Sequence, residues 1–132
     1  MSGIAPSAYT CSLFPSRGKV RQFASLLVED HTLVREKLAS IVRSAADFTV
    51  VGEAGDGPEG LALTQETAAD VVLMDISLPT INGMEAARIL KQLSPRVEIL
   101  FVSQYVTPQI ISEALKAGGR GYIAKGDVAR NC

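Results

Sequence analysis

Three carboxylates, a serine and a lysine carry most of the chemistry this sequence offers. Glu29 and Asp30 stand side by side after the apolar run Phe23-Ala24-Ser25-Leu26-Leu27-Val28, and Asp75 closes the run Val71-Val72-Leu73-Met74. Ser103 follows Val97-Glu98-Ile99-Leu100-Phe101-Val102, and Lys125 follows Gly121-Tyr122-Ile123-Ala124. A short unbroken apolar run is what a strand buried on both faces looks like, as in a parallel sheet covered by helices. Each of these polar groups thus falls at or just past the carboxyl end of an expected strand, where open parallel sheets gather ligands and chemistry.

Brought into one pocket, carboxylates repel by roughly 4 kcal/mol per pair at about 4 Å separation and an effective dielectric near 20. A divalent cation removes that cost. Mg²⁺ is the natural candidate, because it takes hard oxygen ligands and often combines one or two carboxylates with phosphate oxygens. Lys125 adds a second positive charge and Ser103 a neutral donor. Two cations and a hydroxyl around one carboxylate suit a phosphoryl group arriving at Asp75.

The elements that must position these groups alternate along the chain. After the strand from Phe23 to Val28, Thr32 is placed to cap a helix whose Leu38, Ile41, Val42 and Ala45 form one apolar stripe ending near Ala46. Phe48 to Ala54 reads as a second strand, and its Glu53 suggests an edge position. Asp56-Gly57-Pro58 starts a second helix with Leu61, Ala62 and Leu63, running to about Thr67. The third strand, Ala69 to Met74, leads into Pro79 and Asn82-Gly83, which shape the loop after Asp75. Gly83 to Leu93 is helical, with Met84, Ala87, Leu90 and Leu93 facing inward, and Ser94-Pro95 stops it. The fourth strand spans Val97 to Val102. Thr107-Pro108 begins a fourth helix carrying Ile110, Ile111, Ala114 and Leu115, Gly118-Gly119 ends it, and Gly121 to Ala124 forms a fifth strand. Such alternation argues for an α/β fold with parallel strands joined by right-handed crossovers. Only Gly126 to Cys132 follow Lys125, too few residues for a covering helix of ordinary length.

Composition bounds the partners. A chain of 132 residues, 47% hydrophobic and 20% charged, has room for one soluble domain with a real core. A formal net charge of −1 leaves no basic field to hold nucleic acid or an anionic membrane, so direct nucleic-acid binding by this chain is not expected. No apolar run approaches a membrane span and no secretory signal opens the chain, which points to the cytoplasm. Cys11 and Cys132 read as free thiols, and His31 has no metal-binding companion. Residues 1–22, rich in Gly, Pro and Ser, read as a flexible amino-terminal arm ahead of a domain over 23–132.

The pair Glu29-Asp30, the segment MDISLPTINGMEA, Ser103 and the run AGGRGYIAK together resemble the receiver domain of two-component response regulators, over about residues 23 to 126. The wording VEDHTLVREKL and EALKAGGRGYIAK is most similar to the NarL/FixJ type. The resemblance implies a flavodoxin-like, CheY-like three-layer fold with strand order 2-1-3-4-5 and the site at the switch point between strands one and three. It also implies roles. Asp75 would accept phosphate from a sensor histidine kinase, with Mg²⁺ held by Glu29, Asp30, Asp75 and the Ser77 carbonyl, and Lys125 would pair with the phosphoryl oxygens. Ser103 would report the modification, Tyr122 would follow it inward as a switch, and Ser77 and Tyr105 would tune the loss of phosphate. Such a protein is an acceptor that switches protein-protein interactions, not a turnover enzyme.

Three departures matter. Gln104 follows Ser103 where many receivers carry a small residue, which would narrow access to Asp75. Gly126 replaces the Pro that follows the lysine in many relatives. The fifth helix is missing or displaced, which would strip apolar surface on strands one, three and five, to be covered by a homodimer partner, another chain or the amino-terminal arm. The second reading is therefore a receiver-like interaction module that does not switch. A small phosphatase of the haloacid dehalogenase type is disfavoured, because Asp75-Ile76-Ser77 lacks the second Asp.

Overall fold

The computed structural model describes residues 22–130. The amino-terminal arm, Gln22 apart, and both cysteines lie outside the described residues. Five parallel strands form one sheet in the order β2-β1-β3-β4-β5: β1 Phe23–Val28, β2 Phe48–Ala54, β3 Val71–Asp75, β4 Glu98–Ser103 and β5 Gly121–Ala124. The expected strand order and the edge position of β2 are both present. Every residue of β3 is buried, because β1 and β4 flank it and helices cover both faces.

Alternation along the strands sorts the core into two layers. Leu26, Val28, Val72, Met74, Ile99 and Phe101 point to one face. That layer is closed by α2 (Gly57–Thr67), α3 (Gly83–Leu93) and α4 (Pro108–Lys116), through residues such as Leu61, Leu90 and Ala114. Leu27, Val71, Leu73 and Val102 point to the other, against Leu38 and Ala39 of α1 (Thr32–Ser44).

Three of the helices start on side-chain caps. Asp56, Asn82 and Thr107 accept the amides of Glu59, Glu85 and Ile110 at 2.9, 2.9 and 3.1 Å. Thr32 does not cap α1. His31 holds the cap position without a side-chain bond, and Thr32 is already helical.

Inward faces shift by a residue or two from expectation. Leu93 and Leu115, at helix ends where the stripe has rotated away from the sheet, are each 53% exposed, whereas Ala86 is fully buried. Ala62 also points to solvent, while Gly60 and Thr64 are buried beside the half-buried Leu61 and Leu63.

A fifth helix exists but is short: α5, Lys125–Arg130, has six residues and lies against α1 and β5. The bare sheet patch expected from its shortness is not found. Val71, Leu73 and Val102 are buried, and Leu100 and Ile123 are half-buried. Among the described residues, the exposed large apolar side chains stand on helices or on the loop after β4, the edge-strand Val51 apart. The homodimer expectation has no support among the described residues.

Candidate functional site

The carboxyl ends of β1, β3 and β5 bring Glu29, Asp75 and Lys125 together. Lys125 Nζ lies 3.2 Å from both Glu29 Oε2 and Asp75 Oδ2. Glu29 is 0% and Asp75 2% exposed, so the lysine is the counter-charge that water cannot supply. Asp30, one residue past Glu29, is exposed at the rim. One oxygen from each of Glu29, Asp30 and Asp75 lies within 4.8 Å of the others. Asp75 Oδ1 accepts the Ser77 amide at 3.1 Å, and Glu29 Oε2 accepts that of His31 at 3.1 Å. Glu29 Oε1 is buried without a hydrogen-bond partner.

Burial, then the charge of Asp75, pushes the Glu29 carboxyl above its ordinary range, and the His31 amide and Lys125 pull it back only in part. Burial disfavours the Lys125 ammonium, but Asp75 and Glu29 outweigh it and hold its pKa above the ordinary value. Three hard oxygens and an unpartnered buried carboxylate oxygen fit a hard divalent cation of the Mg²⁺ kind.

The loop after Asp75 is held close to the strand. Gly83 donates its amide to Ile76 O at 2.7 Å, and a Cβ there would collide with the carbonyl of Asp75 itself. Only glycine permits that approach. Thr80 takes a left-handed φ of 74° at the loop's turn.

Ser103 is placed differently from the other members. It is buried at the end of β4, yet its Oγ donates to Tyr105 O at 3.0 Å and accepts the Tyr105 amide at 3.2 Å. The Tyr122 hydroxyl donates to the same carbonyl at 2.9 Å. Burial pushes the Tyr122 phenol up, and Ser103 offsets part of that. The expected reporter groups thus meet each other on the Tyr105 carbonyl, while the Tyr105 and Ser77 side chains and Gln104 are exposed.

Arg35, an early residue of α1, is a member of this end of the sheet that the sequence pattern did not mark. Its Nη1 donates to Glu29 O at 2.7 Å and its Nε lies 3.3 Å from Glu53 Oε1. The available signal was its place one turn into the helix that follows Glu29-Asp30. A groove of about 530 Å³ lined by Thr64, Asp70, Pro95 and Arg96 opens at the opposite end of the sheet, away from all of these groups.

Comparison with known proteins agrees with this geometry. The family described as "Response regulator receiver domain" matches residues 26–130. The chain belongs to that family. Among curated relatives, this receiver is 37% identical over 99 residues to "Uncharacterized transcriptional regulatory protein YxjL" of Bacillus subtilis, covering 75% of this chain and 45% of that protein. It is 37% identical over 101 residues to "Response regulator UvrY" of Escherichia coli, covering 76% and 46%. The receiver therefore spans less than half the length of these relatives. Among solved structures, it overlays a LuxR-family two-component response regulator from Aurantimonas with a TM-score of 0.77 at 34% identity, covering 83% of this chain and 79% of that one. The receiver domain of the putative response regulator NarL from Mycobacterium tuberculosis gives 0.76 at 28% identity, covering 80% and 85%. The receiver is of the NarL/LuxR type. No helix among its described residues is long and apolar enough to cross a membrane.

Proposed function

We propose that Asp75 accepts a phosphoryl group from a phosphohistidine on a sensor histidine kinase, and that the modification shifts the loop after β4 between two arrangements and so alters protein-protein contacts. One observation carries the reading: a buried aspartate at a strand end, paired with a lysine and flanked by two further acidic residues, one of which, Glu29, has a buried carboxylate oxygen without a partner. An Asp75 carboxylate oxygen attacks phosphorus, the P–O bond forms as the P–N bond breaks, and the histidine leaves with its electron pair. Lys125, already on Asp75, follows the developing negative charge onto the phosphoryl oxygens. Glu29, Asp30, Asp75 and the Ser77 carbonyl would hold Mg²⁺, which when bound neutralises the carboxylates and the incoming oxygens. Ser103 would leave the Tyr105 carbonyl for the phosphoryl group, with Tyr122 free to follow. The protein is an acceptor that loses its phosphate by hydrolysis rather than a turnover enzyme.

The second reading, a receiver-like interaction module that does not switch, draws on the bonds that tie both Ser103 and Tyr122 to one backbone carbonyl. Mg²⁺ with beryllofluoride separates the two. Under the acceptor reading, NMR amide shifts appear at Asp75 and spread to Ser103, Tyr105 and Tyr122, and Asp75→Asn abolishes them. Shifts confined to Glu29, Asp30 and Asp75 support the second reading, and no Mg²⁺-dependent change in the wild type overturns the first.

A further inference from the structure

The two acidic residues on β1's end are useful only if the backbone that carries them is held still. The helix that follows gives little help: α1 starts without a side-chain cap and has no acidic residue in its first turn. The turn from β1 into α1 is instead fixed by three bonds. The Glu29 amide donates to Ala54 O at 2.9 Å, the His31 amide donates to Glu29 Oε2, and the Glu29 carbonyl accepts Arg35 Nη1 at 2.7 Å.

Of these, only the Arg35 bond brings in a side chain from beyond the turn. The guanidinium is anchored in its turn by Glu53 on the neighbouring strand β2, and Glu53 is also 3.6 Å from Arg43, about two turns further along α1. A rigid planar fork can hold a carbonyl and a carboxylate at once, which a flexible ammonium does poorly.

We propose that Arg35 is a positioning residue for the cation site: by fixing the Glu29 carbonyl it sets where the carboxylates of Glu29 and Asp30 stand relative to Asp75. It touches neither the cation nor the phosphoryl group. Groups that orient ligands in this way typically govern metal affinity by about 10- to 100-fold. The inference rests on the cation site of the proposed function, so its test uses Mg²⁺ alone and reads affinity rather than phosphorylation.

The experiment titrates the full chain with Mg²⁺ by calorimetry and by amide shifts, alongside urea denaturation. Arg35→Ala is expected to weaken Mg²⁺ binding by about 10-fold or more. Arg35→Lys should recover less than half of that loss on a logarithmic scale, and Glu53→Gln, which leaves every proposed ligand in place, should weaken binding by a few-fold. A bond that merely glues α1 to β2 would lower the urea midpoint in these variants and leave Mg²⁺ affinity at the wild-type value, and that result overturns the inference. Should Arg35→Ala fail to fold, Arg35→Lys and Glu53→Gln decide by the same criterion. Wild-type protein that binds no Mg²⁺ would sink the cation site and this inference together, whereas wild-type binding with unchanged variants sinks the inference alone.

Discussion

Two groups of side chains at the same end of one sheet are organised in opposite ways. Glu29, Asp75 and Lys125 face each other across strand ends and share charge-assisted bonds in which both carboxylates are buried. Ser103, Tyr105 and Tyr122 instead close on one another through the Tyr105 backbone carbonyl, in a loop where Gln104 and Tyr105 are exposed. The first group cannot relax without leaving a buried charge unpaired. The second is held by neutral bonds to one backbone carbonyl, so losing them strands no charge. A site that must bind the same cation each time belongs on the first arrangement, and a reporter that must move belongs on the second.

The comparison breaks most visibly at Lys125. Lys125→Met removes the counter-charge from two buried carboxylates, and removing one partner of a buried pair costs about 3–5 kcal/mol. Urea denaturation without metal should show a loss of that size, and millimolar Mg²⁺ should restore part of it by binding the folded state. A variant as stable as the wild type in the absence of metal would mean that the cluster is solvated rather than closed.

A smaller effect separates Glu29 from the other carboxylates through pH. Its folded-state pKa is raised above the ordinary 4.5, first by burial and then by Asp75, so the folded protein binds a proton the unfolded chain has already released. The stability this contributes is full below about 4.5 and is lost as pH rises through the raised value. Glu29→Gln lacks that titration. The stability gap between variant and wild type, measured without metal, should therefore move in the variant's favour as pH rises above 4.5 and then level off. Added Mg²⁺ should raise the wild type on the high-pH side and leave the variant nearly unmoved. A gap that stays constant from pH 4 to 8 would remove the reason to regard Glu29 as a carboxylate waiting for a cation.

Most of the fold was legible because its signals are local. Leu26-Leu27-Val28 and Val71-Val72-Leu73-Met74 cannot be partly exposed strands, and once five such runs alternate with helices the parallel sheet and its strand-end carboxylates follow. Asp75 and Lys125 were found for the same reason: a strand end is a position the sequence marks. What was not legible depends on rotation or reach. Leu93 and Leu115 fit an apolar stripe by spacing, but at a helix end the stripe has already turned from the sheet. The Arg35 bond to the Glu29 carbonyl involves a backbone atom, which no residue pattern reports. Ser103 was expected to turn toward a phosphoryl group on Asp75, but which bonds it makes before that, the two with Tyr105, was not readable from the sequence. The last helix was expected to be missing or displaced and is short, and the sheet side chains beneath it, expected to need cover, are buried or half-buried.

The smallest predicted effect tests the soft half of the contrast. Ser103→Ala loses two hydrogen bonds to Tyr105, and Tyr122→Phe loses one to the same carbonyl. In each case the lost bonds are neutral and strand no charge, so each variant should cost about 0.5–1.5 kcal/mol in urea denaturation. The two losses should not add, because both donors serve one acceptor, and the double variant measures that coupling directly. Tyr122 carries a second signature. Its phenol is held neutral to higher pH than usual, so the stability it contributes is present below pH 10 and lost as pH rises past that value, a loss that Tyr122→Phe abolishes. If instead either single variant cost as much as Lys125→Met, the loop would be as rigid as the cluster it borders. A rigid loop of that kind could not report on Asp75, and the non-switching reading would gain the strongest support that a stability measurement can give it.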